Sequence, residues 1–150
     1  MRKRNWAYSS WRLAKKRCYD TKHEKYYYYG ARGVFMCDGW RESFSKFLSD
    51  MGECPANKSI DRINTKGSYT CGTCEQCVAN SWPMNCKWST AKEQARNRTS
   101  NRILTVHGFT ACLSAIAERY GVIAETIAER LRRDWTIEDA VTKPRFGRVG

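Results

Sequence analysis

Four cysteines within sixteen residues, Cys71-x2-Cys74-x2-Cys77-x8-Cys86, constrain this chain more than any other feature. A two-residue spacer lets a tight turn aim two sulfurs at one point, so thiolates at these intervals can converge on one tetrahedral Zn2+. A structural Zn2+ held by Cys71, Cys74, Cys77 and Cys86 is therefore the expectation. The Cys-x2-Cys-x2-Cys run also suits an iron–sulfur cluster, although no Pro follows Cys86, and free thiols or a disulfide stay open. Four thiolates leave no coordination position for water, which makes the metal a brace and not a catalyst. Cys18, Cys37, Cys54 and Cys112 lack pair spacing and read as buried or incidental thiols; Cys37 could sit near the metal but carries no local signature.

The charge is uneven. Lys and Arg outnumber Asp and Glu 27 to 15, a net +12 over 150 residues, so a polyanionic partner is expected. Residues 1–33 carry ten Lys or Arg against two acids, residues 34–54 four acids against two bases, and the basic excess returns at 87–102. The N-terminus has charge but no apolar core after it, so no secretory signal is expected. No run approaches the roughly 18 apolar residues of a membrane span. Eight cysteines then fit metal ligation in a reducing, cytoplasmic setting better than disulfides.

Along the chain, residues 5–18 mix Trp6, Tyr8, Trp11, Leu13 and Ala14 at helical spacing. The four tyrosines at 26–29 read as alternating sides of a strand, with Gly30 and Gly33 permitting a turn around Arg32. Phe44, Phe47, Leu48 and Met51 mark an amphipathic helix over 41–51 that Gly52 ends. "SIDRINTKGSY" reads as a strand, a turn at 65–67 and the start of a second strand, interrupted by the cysteine loop. A helix capped by Ser89 or Thr90 follows, running to about Arg102. Beyond it come a hairpin turning at His107-Gly108, a helix ended by Gly121, a second helix "AETIAERLRR" and a third, short one. This order fits a helix-turn-helix or, more plainly, a helical cap.

Phosphodiester hydrolysis needs a hard divalent cation on the phosphate and oxygen donors to hold it. Asp61, ending the first strand, is the candidate ligand, with Gln94 or Asn97 from the following helix as amide partner. Asn85 is expected to fix the loop by bonding backbone. Taken singly, each of these positions also suits a surface residue.

Together they resemble a family. "SIDRINTKGSY…NCKWSTAKEQARNR" is similar to the ββα-metal core of HNH endonucleases. "YGARGV", "CDGW", "DMG", Asp61-Arg62-Ile63 and "NCKW" resemble a phage group of that family over about 19–101. The resemblance implies DNA cleavage with a cation, Mg2+ or Mn2+, on Asp61 and a helix amide. One position departs: His usually follows this Asp as general base, and Arg62 stands here instead. Arg cannot act as a base near neutral pH and would clamp the phosphate or stabilise the departing oxygen. His23 is then the candidate base, with Tyr69 or a tyrosine of 26–29 as fallback.

The expected fold is α+β: a ββα-metal nuclease domain over 1–102 with an inserted four-cysteine zinc loop at 71–86, a helical DNA-binding module over 103–142, and a basic tail at 143–150. The expected partner is double-stranded DNA, with Arg32, Lys87, Lys92, Arg96 and Arg98 near phosphates and Arg130, Arg132 and Arg133 contributing from the module. A homodimer is compatible with the chain, no membrane is involved, and a phage-encoded copy would work in the host cytoplasm. The competing readings are a non-catalytic DNA-binding protein of the same fold and an RNA-binding zinc protein whose tyrosines at 26–29 stack on bases.

Overall fold

The computed structural model describes residues 5–144. It is an α+β protein of short helices and two two-stranded antiparallel sheets. The chain divides into two compact units, one ending at Asn97 and the other beginning at Arg98, ahead of the boundary expected at 102. From residue 145 onward the expected basic tail lies outside the described residues. No described helix is long and apolar enough to cross a membrane.

In the first unit α1 spans Trp6–Tyr19, and Asn5 caps it by accepting the Tyr8 N–H. It buries Ala7, Ala14 and Cys18, one face at helical spacing. The tyrosine run is not a strand. It forms 3-10 turns at Tyr26–Tyr28 and Gly30–Arg32, closed by Tyr29 N–H to the Tyr26 carbonyl and Gly33 N–H to the Gly30 carbonyl. Local turn bonds thus take the place of strand pairing for these backbone groups. The helix expected over 41–51 is split into α2 (Asp38–Glu42) and α3 (Phe44–Met51), because Ser43 leaves the helical conformation to cap α3 through the Lys46 N–H.

Strand β1 (Ser59–Arg62) pairs antiparallel with β2 (Cys86–Ser89), Asp61 opposite Lys87 and Arg62 opposite Cys86. Between them lies the cysteine loop with α4 (Glu75–Ala79); after them comes α5 (Ala91–Arg96). The order is strand, loop, strand, helix. Thr90 caps α5 in a reciprocal box with Glu93, and α5 stops well short of Arg102. Trp40, Phe47, Met36, Ile60 and Tyr69 fill the core, and the indole N–H groups of Trp11, Trp40 and Trp88 bond the Trp40 carbonyl, Asp50 and the Met51 carbonyl.

The second unit is a hairpin, β3 (Ile103–Val106) and β4 (Phe109–Cys112), followed by α6 (Leu113–Tyr120), α7 (Ala124–Arg132) and α8 (Ile137–Thr142). It turns at His107-Gly108 with both residues at positive φ, 47° and 77°, which suits a two-residue hairpin. Gly121 ends α6 as the sequence indicated. Val106, Ile116, Ile127, Ala140 and Val141 form its own core.

Candidate metal centre and strand–helix face

The sulfurs of Cys37, Cys71, Cys74 and Cys77 all lie within 4.8 Å of one another, close enough to hold a metal ion such as zinc. Zinc–sulfur bonds of about 2.3 Å in a tetrahedron put the sulfurs about 3.8 Å apart, and Cys71 and Cys77 stand at 3.9 Å. The fourth member is Cys37, not Cys86. Cys86 faces the hydrophobic core from β2, and burial pushes its thiol up to about 12, as a neutral side chain. Cys37 arrives through a tertiary contact. A parallel bridge joins Met36 to Tyr69, with Cys37 N–H on the Tyr69 carbonyl at 2.9 Å and Tyr69 N–H on the Phe35 carbonyl at 2.9 Å. Continuing past that bridge, the two segments carry Cys37 and Cys71 to the same place.

Of the four thiols, the surroundings favour the thiolate at Cys71. Burial alone would push the Cys71 thiol up, but the backbone N–H groups of Thr73 and Cys74 donate to its sulfur at 3.4 and 3.2 Å, and the net result is a fall to about 6. Burial raises Cys37 and Cys77, and the neighbouring Cys71 sulfur adds to both shifts. The Lys46 ammonium, on the Thr73 hydroxyl at 3.0 Å and on Asp50 at 3.2 Å, supplies nearby positive charge. Two glycines make the fit possible. A Cβ on Gly39 would lie 2.6 Å from the Cys74 Cβ, and Gly72 turns the loop at φ 75°. Gln76 locks α4 onto α2 by accepting the Asp38 N–H at 2.8 Å.

A second constellation lies on the opposed strands. Side chains alternate across β1, so Ser59 and Asp61 share one face and Ile60 and Arg62 the other. On the first face Asn97, just past α5, donates Nδ2 to the Asp61 carboxylate at 3.3 Å and to the Arg62 carbonyl at 2.7 Å. Gln94 instead donates to the Ser59 hydroxyl at 2.6 Å and the Ser89 carbonyl at 3.2 Å, so of the two amides it is Asn97 that meets Asp61. Lys87 sits opposite Asp61 in the register and is exposed, as is Lys92; Arg96 is half-buried. Arg98 is exposed and opens the second unit.

Arg62 is not beside Asp61. The pleat turns it to the other face, where it donates to the Gly67 carbonyl and lies over Tyr29 and Tyr69, its carbon 5.0 and 5.5 Å from the ring centres. His23 accepts the Lys25 N–H through Nδ1 at 3.1 Å, and no hydrogen bond joins it to Asp61 or Asn97 among the described residues. Asn85 does what its sequence position suggested: 8 % exposed, it accepts the Asn64 N–H and donates to the Asn64 and Ser68 carbonyls. Arg32 lies over the exposed Tyr27 and Tyr28 rings.

The arginines of α7 are committed within the second unit. Arg130 is 8 % exposed, donates to the carbonyls of Ala140, Lys143 and Pro144 at the end of α8, and stacks on Trp135. It is a buried cap and not a surface cation. Arg132 pairs with Glu125 and Glu129, and Arg133 with Glu129, which largely cancels the charge expected to meet DNA.

Cys37 escaped the sequence pattern because its signal is weak: a Cys-Asp-Gly-Trp step whose glycine makes room for Cys74. Among known proteins, no family model, no curated protein and no solved structure matches this chain.

Proposed function

We propose that the protein is a metal-dependent DNA endonuclease with a ββα-metal core, braced by a structural Zn2+ on Cys37, Cys71, Cys74 and Cys77. The observation that carries this reading is the hydrogen bond from Asn97 Nδ2 to the Asp61 carboxylate at 3.3 Å, which brings a helix-end amide beside a strand carboxylate on one face of a strand–loop–strand–helix unit. A Mg2+ or Mn2+ ion held by an Asp61 oxygen and the Asn97 Oδ1 would supply Lewis-acid polarisation of a phosphodiester. Asn97 keeps its Nδ2 on the Arg62 carbonyl, which fixes the amide relative to β1. Lys87 and Lys92, exposed on β2 and α5, would take flanking phosphates, and the net charge of +12 would draw the polyanion in.

The test is a supercoiled-plasmid assay with Mg2+ supplied or withheld. Nicking should need the cation and vanish in Asp61→Ala while duplex binding survives; cleavage by that variant would remove Asp61 from the site. The second reading, a DNA-binding protein without catalysis, is favoured by one observation: no hydrogen bond joins His23 to Asp61 or Asn97 among the described residues. Under it the same assay gives binding that weakens with salt and no nicks.

A further inference from the structure

On the face of β1 turned away from Asp61, four donor-bearing side chains gather with almost nothing to donate to. Arg17, in the last turn of α1, and Arg62 both lie over the Tyr29 ring, their guanidinium carbons 5.4 and 5.0 Å from its centre. Tyr29 and Tyr69 stack at 6.4 Å with ring planes 15° apart, and Arg62 lies over Tyr69 as well. No acidic side chain pairs with either arginine among the described residues. The chain outside those residues reads MRKR and RFGRVG and has no Asp or Glu. Asp61, the sequence neighbour of Arg62, points to the other face and is held by Asn97.

The hydrogen-bond accounting is equally one-sided. The Arg17 Nε is buried with no hydrogen-bond partner. Arg62 uses one nitrogen, on the Gly67 carbonyl. The Tyr69 side chain is 2 % exposed, and its hydroxyl makes no hydrogen bond among the described residues. Buried donors in native proteins are normally satisfied, and guanidinium groups carry donors only. Two half-buried cations and two phenols that share a single acceptor have one chemistry in common: they fit an oxyanion. Planar guanidinium groups match the oxygens of a phosphate in particular.

We infer that Arg17, Arg62, Tyr29 and Tyr69 form a phosphate-binding site separate from the Asp61–Asn97 face. The phosphate could come from a nucleic-acid backbone, in which case this site deepens the proposed function by holding a phosphate other than the scissile one. It could also come from free phosphate or a mononucleotide.

The decisive variant is Arg17→Gln, because Arg62 also holds the 62–67 turn. Arg12→Gln, on the same helix and exposed, removes the same charge as a control. With inorganic phosphate in calorimetry at constant ionic strength, wild type and Arg12→Gln should bind saturably and Arg17→Gln should lose binding at least about tenfold. No saturable binding by wild type, or equal loss in both variants, overturns the site. With a DNA duplex and no divalent cation, Arg17→Gln should lower the slope of log K against log salt by about 0.9, one phosphate contact. If phosphate binds as expected but that slope is unchanged, the site holds and its source is a free phosphate. If the duplex does not bind wild type at all, the nucleic-acid reading fails while the phosphate titration still judges the site. Tyr69→Phe, which removes a hydroxyl and no charge, should weaken phosphate without altering the fold read by circular dichroism.

Discussion

Asn97 ties two consecutive residues of β1 with one amide: its Nδ2 is 3.3 Å from the Asp61 carboxylate and 2.7 Å from the Arg62 carbonyl. The helix end is thereby pinned to the strand edge at the point where the candidate cation ligands meet. Asn97→Ala should abolish Mg2+-dependent nicking with a stability loss of about 1–2 kcal/mol, the size of a hydrogen bond to backbone. Asn97→Asp should keep an oxygen donor and retain part of the activity. Plasmid nicking beside thermal unfolding checks both, and full activity in Asn97→Ala removes the amide from the site.

The identity of the fourth thiol separates two variants. Cys37→Ser should lose the metal and unfold the first unit, since a structural Zn2+ contributes on the order of 10 kcal/mol. Cys86→Ser should keep one metal per chain and cost only on the order of 1–3 kcal/mol for a hydroxyl placed in the core. Metal analysis of the purified variants decides. Gly39→Ala should behave as a mild Cys37→Ser, because its new methyl meets the Cys74 Cβ at 2.6 Å.

Alkali should unfold the first unit through its buried neutral thiols. Burial raises Cys86 to about 12 and Cys18 to about 11 from an ordinary value of 9.0. A thiol whose folded pKa is raised contributes stability that is fully present below pH 9 and lost as pH climbs toward 11 and 12. Denaturant titrations across that window should show the loss, and Cys18→Ala with Cys86→Ala should flatten it.

The α7 arginines should divide sharply. Arg130→Ala removes three carbonyl contacts and the stack on Trp135, and should destabilise the second unit by about 2–4 kcal/mol. Arg132→Gln should change stability by no more than about 1 kcal/mol, as exposed ion pairs do. Thermal unfolding of the two variants compares them directly.

Much of the local structure was legible from residue order. The helix over 5–18, the cap at Thr90, the turn at His107-Gly108 and the stop at Gly121 depend on partners within a few residues. In that first helix, though, Trp6, Tyr8 and Leu13, which marked it, are exposed, and Ala7, Ala14 and Cys18 are the ones buried. The tyrosine run misled because strand alternation needs a neighbouring edge, and the 3-10 turns satisfied that backbone locally. Arg130 misled because a basic residue at a helix end looks the same in sequence whether it faces solvent or caps α8.

By itself the order of residues determined that three thiols of the 71–77 run would cluster and that Asn85 would hold the loop, since turn geometry and spacing act over short range. Only the tertiary structure decided that Cys37 completes the set, that Asn97 and not Gln94 meets Asp61, and that Arg62 joins Arg17 on the opposite face. Each of those outcomes depends on a register between segments roughly thirty or more residues apart, such as Met36 with Tyr69. Such a register is set by core packing and backbone pairing, which no local pattern encodes.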